Sequence, residues 1–143
     1  ERVINMEKQN IRAVTAEQLG ELVDFISIDV AFISLDKVLP VATTLLKNTG
    51  SLVALIKPQF EAGKEKVGKG GIVRERAVHE EVLSRILQVA YDCKLYLHGL
   101  TFSPIKGTEG NIEFLGYFTK SEEGALSITD ELITAVVDEA HML

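Results

Sequence analysis

The run Ser51-Leu52-Val53-Ala54-Leu55-Ile56 is close to uniformly apolar and stops at Lys57-Pro58. A short run of this kind suits a strand buried on both faces, and that environment is found in parallel sheets covered by helices. The segments around it fit such a sheet. Phe25-Ile26-Ser27-Ile28-Asp29 is a second β-rich run, with Val30 to Ile33 continuing it. Between the two, Val38 to Lys47 has helical spacing. Pro40 belongs in a first turn and so places the start of that helix, and Asn48-Thr49-Gly50 ends it. Val3 to Glu7 reads as a short strand ending in an acid, and Thr15-Ala16-Glu17-Gln18 opens a short helical turn. Arg76 to Lys94 reads as a long amphipathic helix, Leu95–Phe102 and Ile112–Phe118 as strands able to pair as a hairpin, and Thr129 to Met142 as a final helix. The alternation predicts an α/β fold of the Rossmann-like class: a mostly parallel sheet flanked by helices, with an antiparallel pair at one edge.

A chain of 143 residues suits one domain with a real core, and 46% hydrophobic residues argue against disorder. The stretch Thr119 to Gly124 is the most linker-like, which divides the chain into residues 1–118 and a tail, 119–143, with the last helix. A net charge of −6 ill suits non-specific binding to nucleic acid. The one cysteine, Cys93, excludes an intrachain disulfide, reads as a small buried residue and fits a reducing cytoplasm. No stretch approaches the roughly 20 apolar residues that span a bilayer.

Ligands of open parallel α/β sheets bind outside the carboxyl ends of the strands. Three residues directly follow hydrophobic strands: Glu7, Asp29 and Lys57. An acid at the position of Glu7 suits the two hydroxyls of a ribose. Asp29 suits a cofactor ammonium or a lysine that must be held. Lys57 suits a base or an electrostatic clamp on a hydroxyl nucleophile. Glu113, between Ile112 and Phe114 on a mostly apolar strand, needs a partner if buried, and Lys57 is the candidate. The loop from Gln59 to Gly71 lacks the Gly-x-x-x-x-Gly-Lys-Ser/Thr spacing of a triphosphate loop. Its Lys64, Lys66 and Lys69, with Arg74 beyond, form the chain's basic cluster and are candidate contacts to RNA phosphates. His79, His98 and His141 lack metal-ligand spacing, and Ser34 and Ser103 lack the setting of a hydrolase nucleophile.

Four motifs in order, Asp29 to Leu35, Leu55-Ile56-Lys57-Pro58-Gln59-Phe60-Glu61, Val67 to Arg74, and Glu109-Gly110-Asn111-Ile112-Glu113-Phe114, resemble the TlyA family, whose members are often called hemolysins and carry an FtsJ-like methyltransferase domain. The resemblance runs from about Val3 to Phe118. It implies transfer of a methyl group from S-adenosylmethionine to ribose 2′-hydroxyls of ribosomal RNA, with ribosomal RNA or subunits as partner. It also implies a Lys-Asp-Lys-Glu tetrad, of which Asp29, Lys57 and Glu113 match three members, with Glu7 and Asp29 toward the cofactor. The first tetrad lysine, the first strand, the Gly-rich cofactor loop and an S4-like RNA-binding domain would precede Glu1. On this reading the chain alone is an incomplete and inactive fragment, and a sheet cut in this way is prone to self-association. Two other readings are a non-catalytic interaction domain and a cytolysin. The last helix carries Asp130, Glu131, Asp138 and Glu139, which anionic lipids would repel.

Overall fold

Extended segments need neighbours to satisfy their backbone groups, and four of the predicted runs find them in one sheet. The computed structural model describes residues 2–142. Its strands are β1 (Val23–Ile28), β2 (Leu46–Ile56), β3 (Tyr96–Phe102) and β4 (Phe114–Thr119), in the order β1-β2-β4-β3. β1 and β2 run parallel, with Ile28 opposite Ala54. β4 lies antiparallel between β2 and β3, with Phe114 opposite both Ile56 and Phe102. Three strands therefore share one direction, and the predicted hairpin forms one side of a mixed sheet.

The helices are α1 (Ala16–Leu19), α2 (Leu35–Leu45), α3 (Pro58–Glu61), α4 (Arg76–Asp92) and α5 (Asp130–Ala140). α1 carries a reciprocal cap between Thr15 and Gln18, which is why so short a turn closes. α5 starts at Thr129, whose Oγ1 accepts from the Leu132 amide at 3.1 Å. The buried residues of α2, α4 and α5 form one core with Leu52, Ala54, Ile56, Leu97, Phe114 and Phe118 on a single face of the sheet. The opposite face carries Phe25, Val53, Leu55, Leu115 and Tyr117, all outside that core, with Phe25 54% and Tyr117 41% exposed.

Several boundaries differ from expectation for identifiable reasons. Val3 to Glu7 forms no strand; Val3 and Ile4 are 78% and 82% exposed, because no described strand offers them backbone partners. β1 ends at Ile28, and Val30 to Ile33 turn away instead of extending it. Helix α2 starts five residues before Pro40, because the Ser34 hydroxyl caps it by accepting from the Asp36 amide at 3.1 Å. Pro40 sits exposed in the second turn, where its missing N–H leaves the Asp36 carbonyl of the first turn without its usual helical donor. Asn48, Thr49 and Gly50 belong to β2, not to a helix end. A Cβ on Gly50 would lie 2.6 Å from Leu46 Cδ1 and 2.8 Å from the Asp24 carbonyl oxygen, so this glycine permits close approach of β1. Residues Leu52, Ala54 and Ile56 are buried while Ser51, Val53 and Leu55 are half-buried, so β2 is fully covered on one face rather than on both. The loop from Gln59 to Gly71 contains α3, a 3-10 turn over Lys64–Lys66 and a tight reversal in which the Gly68 amide donates to the Ile72 carbonyl at 2.7 Å. Cys93 is half-buried, and burial raises its thiol pKa.

Candidate active site

Because β1 and β2 are parallel neighbours in register, the residues that follow them emerge side by side. Lys57 Nζ lies 2.5 Å from Asp29 Oδ1, an ion pair with the lysine side chain 17% exposed and the carboxylate 66% exposed. Lys57 caps α3, and Pro58 in the first helical position fixes the turn beyond it. The lysine is thus anchored from behind while its ammonium reaches the surface through its contact with Asp29.

A buried acid not singled out from the sequence holds this geometry. Glu61 of α3 accepts from the Ser34 hydroxyl at 2.6 Å, the Leu35 amide at 2.9 Å and Arg85 of α4 at 2.9 Å. Its carboxylate ties the segment after Asp29 to the turn after Lys57. Phe32, within that segment, has φ +63° and is 90% exposed, and its ring centroid lies 4.8 Å from that of Phe60. A bulky residue in the left-handed region is strained, and such strain gathers at functional sites. Only the phenylalanine's place in a motif hinted at this from sequence.

Glu113 precedes β4 rather than lying within it, and it is 5% exposed. The expected Lys57 partner is replaced by Gln59, whose Nε2 donates to Glu113 Oε2 at 2.9 Å. Lys57 is taken up by Asp29 instead, while the α3 turn swings Gln59 toward β4. Gln59 Oε1 is buried and has no hydrogen-bond partner among the described residues. Asn111, two residues before Glu113 and 1% exposed, accepts from the Val73 amide and donates to the Gly71 carbonyl, both at 3.0 Å. The glycine loop is therefore pinned to the segment that carries Glu113.

Glu7 does not join this group as a strand end; it lies on an exposed turn, and its carboxylate accepts from the Asn5 side-chain amide at 3.0 Å. In S-adenosylmethionine the cationic ammonium and sulfonium belong to the methionine part, and the ribose diol to the nucleoside part that follows the sulfur. Asp29 suits the cationic part, at the rim of a cleft of about 470 Å³ lined by Phe25, Ile26, Val30 and residues of α2. Glu7 in this position supplies no acceptor for the ribose diol.

The basic residues of this loop are partly committed to other partners. Lys66 pairs with Glu81 of α4 at 2.5 Å, and Arg74 folds back to donate to the Lys69 carbonyl at 3.2 Å. Lys64 and Lys69 are exposed and form no ion pair among the described residues. Two histidines that looked scattered in sequence meet, with the His79 ring 5.6 Å from that of Phe114. His79 Nε2–H donates to the Val73 carbonyl at 3.1 Å, so its Nδ1 accepts from His141 Nε2–H at 2.7 Å. Burial, then the nearby His141, lowers the His79 pKa to about 4, and burial lowers that of His141 too.

The family model of FtsJ-like methyltransferases matches residues 1–120. Among curated proteins, the chain is 47% identical over 148 residues to "Putative rRNA methyltransferase YqxC" of Bacillus subtilis, covering 99% of this chain and 51% of that one. It is 34% identical over 126 residues to "16S/23S rRNA (cytidine-2'-O)-methyltransferase TlyA" of Mycobacterium tuberculosis, covering 88% and 47%. Among solved structures, "Putative hemolysin from Streptococcus thermophilus" superposes with a TM-score of 0.90 at 43% identity, covering 99% of this chain and 51% of that one. The chain thus spans about half the length of the curated relatives it matches. Among the described residues, no helix is long and apolar enough to cross a membrane.

Proposed function

The chain belongs to the FtsJ-like methyltransferase family, and from that premise we propose that it is the catalytic part of a cytoplasmic, S-adenosylmethionine-dependent enzyme that methylates ribose 2′-hydroxyls of ribosomal RNA. The contact of Lys57 with Asp29 at the ends of two parallel strands carries this reading. A ribose hydroxyl is a poor nucleophile until its oxygen is placed in line with the methyl carbon and its proton is drawn away. The cofactor supplies an activated methyl group on a sulfonium. Lys57 holds the hydroxyl oxygen by its ammonium, Asp29 aims that ammonium, and Glu113, held by the Gln59 amide, completes the set. In methyl transfer the hydroxyl oxygen would take the methyl carbon as the carbon–sulfur bond breaks, the sulfur keeping the bonding pair as a neutral thioether, and the hydroxyl proton would pass to the Asp29 carboxylate, which is open to water. The exposed ring of Phe32 beside this centre suits a nucleobase, because recognition of unpaired RNA relies on stacking on aromatic side chains. Lys64, Lys69 and, more weakly, Lys66 and Arg74 serve the phosphates.

Residues 1–118 carry this chemistry, and 119–143 supply the connection and α5. With Glu7 turned to Asn5, the chain alone transfers little or no methyl group. Methyl transfer from labelled S-adenosylmethionine to ribosomal subunits tests the reading, using the chain alone, a full-length protein carrying it, and the full-length Lys57→Ala variant. The full-length protein labels RNA, whereas Lys57→Ala falls by about 10²-fold or more, the range of a lost acid–base or positioning group. Equal labelling by Lys57→Ala and the parent would remove the assignment.

A further inference from the structure

Glu113 is held by more than its own strand, and the way it is held points to two residues with no assigned role. Gly107, six residues earlier in the β3–β4 connection, has its α-carbon so close to the Glu113 carboxylate that a Cβ built there would overlap Glu113 Oε2 and Cδ. Its φ does not lie in the left-handed region, so the glycine is needed for space and not for its backbone conformation. The backbone at this point is itself tied down. The Gly107 amide donates to the Asn111 carbonyl at 2.7 Å, and the Gly110 amide donates to the Gly107 carbonyl at 3.0 Å. Asn111 in turn is fixed to Gly71 and Val73. The bare α-carbon of Gly107 is therefore one wall of the seat that Glu113 occupies.

Gln59 bears on the same carboxylate oxygen that Gly107 makes room for. Its Nε2 faces Glu113 Oε2 at 2.9 Å. Only the amide nitrogen can donate to a carboxylate, and this choice leaves Oε1 buried without a partner. An orphaned amide oxygen is an unfavourable arrangement that a freely chosen rotamer would avoid. Gln59 is also two residues from Lys57, on the short helix that Lys57 caps. A shift of Glu113 is thereby transmitted to the turn that presents the lysine.

We propose that Gly107 and Gln59 are positioning residues for Glu113: the glycine makes room for the carboxylate, and the glutamine amide sets its rotation relative to Lys57. This rests on the reading of Asp29, Lys57 and Glu113 as the methyl-transfer site. The two are separated by measuring four variants of a full-length protein carrying this chain: Glu113→Ala, Gly107→Ala, Gln59→Leu, and Gly107→Ala combined with Glu113→Asp. Glu113→Ala tests the site. Gly107→Ala and Gln59→Leu are expected to lower kcat about tenfold or more, because a displacement near 1 Å is enough to do so, with KM for S-adenosylmethionine within about twofold of the parent. The double variant regains activity over Gly107→Ala, because aspartate withdraws the carboxylate by one methylene and leaves space for the new methyl group. A purely structural glycine would instead lower the urea midpoint of Gly107→Ala in step with its activity, whereas a positioning role lowers kcat in a variant whose midpoint stays near that of the parent. If Glu113→Ala abolishes transfer while Gly107→Ala and Gln59→Leu both keep the parent kcat, the positioning roles are wrong and the site stands. If Glu113→Ala keeps full activity, the site reading falls and this inference falls with it. Should Gly107→Ala fail to fold, loss of kcat in a folded Gln59→Leu still supports the proposal, and an unchanged kcat overturns it.

Discussion

At the scale of the residue, a carboxylate gains its role from the number of donors aimed at it. Glu61 accepts from a hydroxyl, a backbone amide and a guanidinium, and the amide donor is set by the fold rather than by a side chain. Glu61→Ala leaves the Ser34 hydroxyl and the Leu35 amide without their acceptor, which is expected to lower stability by about 2 kcal/mol. The Arg85 contact adds little, because that side chain is 40% exposed. Urea unfolding reads the loss as a lower midpoint with an unchanged slope, and a change below about 0.5 kcal/mol would refute the clasp. Asp29 and Lys57 were legible from sequence because each follows a hydrophobic strand directly, and strand ends are where such sheets hold ligands. The partner of Glu113 was not legible. Choosing between Lys57 and Gln59 depends on how the α3 turn rotates, which residue spacing does not encode.

At the scale of the element, α5 is joined to α4 by two polar contacts over a shared apolar seam. Arg76 meets Asp138 at 2.8 Å, and His79 meets His141. His79 stays neutral in the folded protein down to about pH 4, whereas the unfolded chain takes up a proton near 6.5. The unfolded state thus binds more protons between these values, and stability falls as pH drops through that window and levels off below it. The loss attributable to this residue is up to about 2 kcal/mol between pH 6.5 and 5. Urea midpoints at the two pH values, in the parent and in His79→Gln, should show a shallower loss in the variant. Equal losses in both would rule out the histidine as the cause. The long helix α4 and the hairpin strands were readable because their apolar period persists over many residues. The start of α2 was misplaced because Pro40 suggested a first turn, while the Ser34 cap six residues earlier decided the boundary. Gly50 misled in the same way: its composition reads as a stop, yet its function is close packing against Asp24.

At the scale of the whole molecule, the alternation of strands and helices revealed the fold class but not its asymmetry. Half-covered strands and doubly covered strands can share one apolar run, and β2 turned out to be the former. Phe25, Val53, Leu55, Leu115 and Tyr117 consequently line a face outside the core. An apolar surface of this kind drives association. Light scattering of the chain alone is expected to show a mass that rises with concentration, and Phe25→Lys with Tyr117→Lys should hold it monomeric. A parent that stays monomeric at every concentration would contradict this.

The one-sided sheet also shapes how the chain responds to temperature. The heat-capacity change on unfolding grows with the apolar surface newly exposed to water. A sheet already wet on one face has less of that surface to expose than a doubly covered sheet of equal length. Its stability curve is correspondingly broad and shallow, with a gentle dependence on denaturant. Covering the Phe25 and Tyr117 face would steepen both.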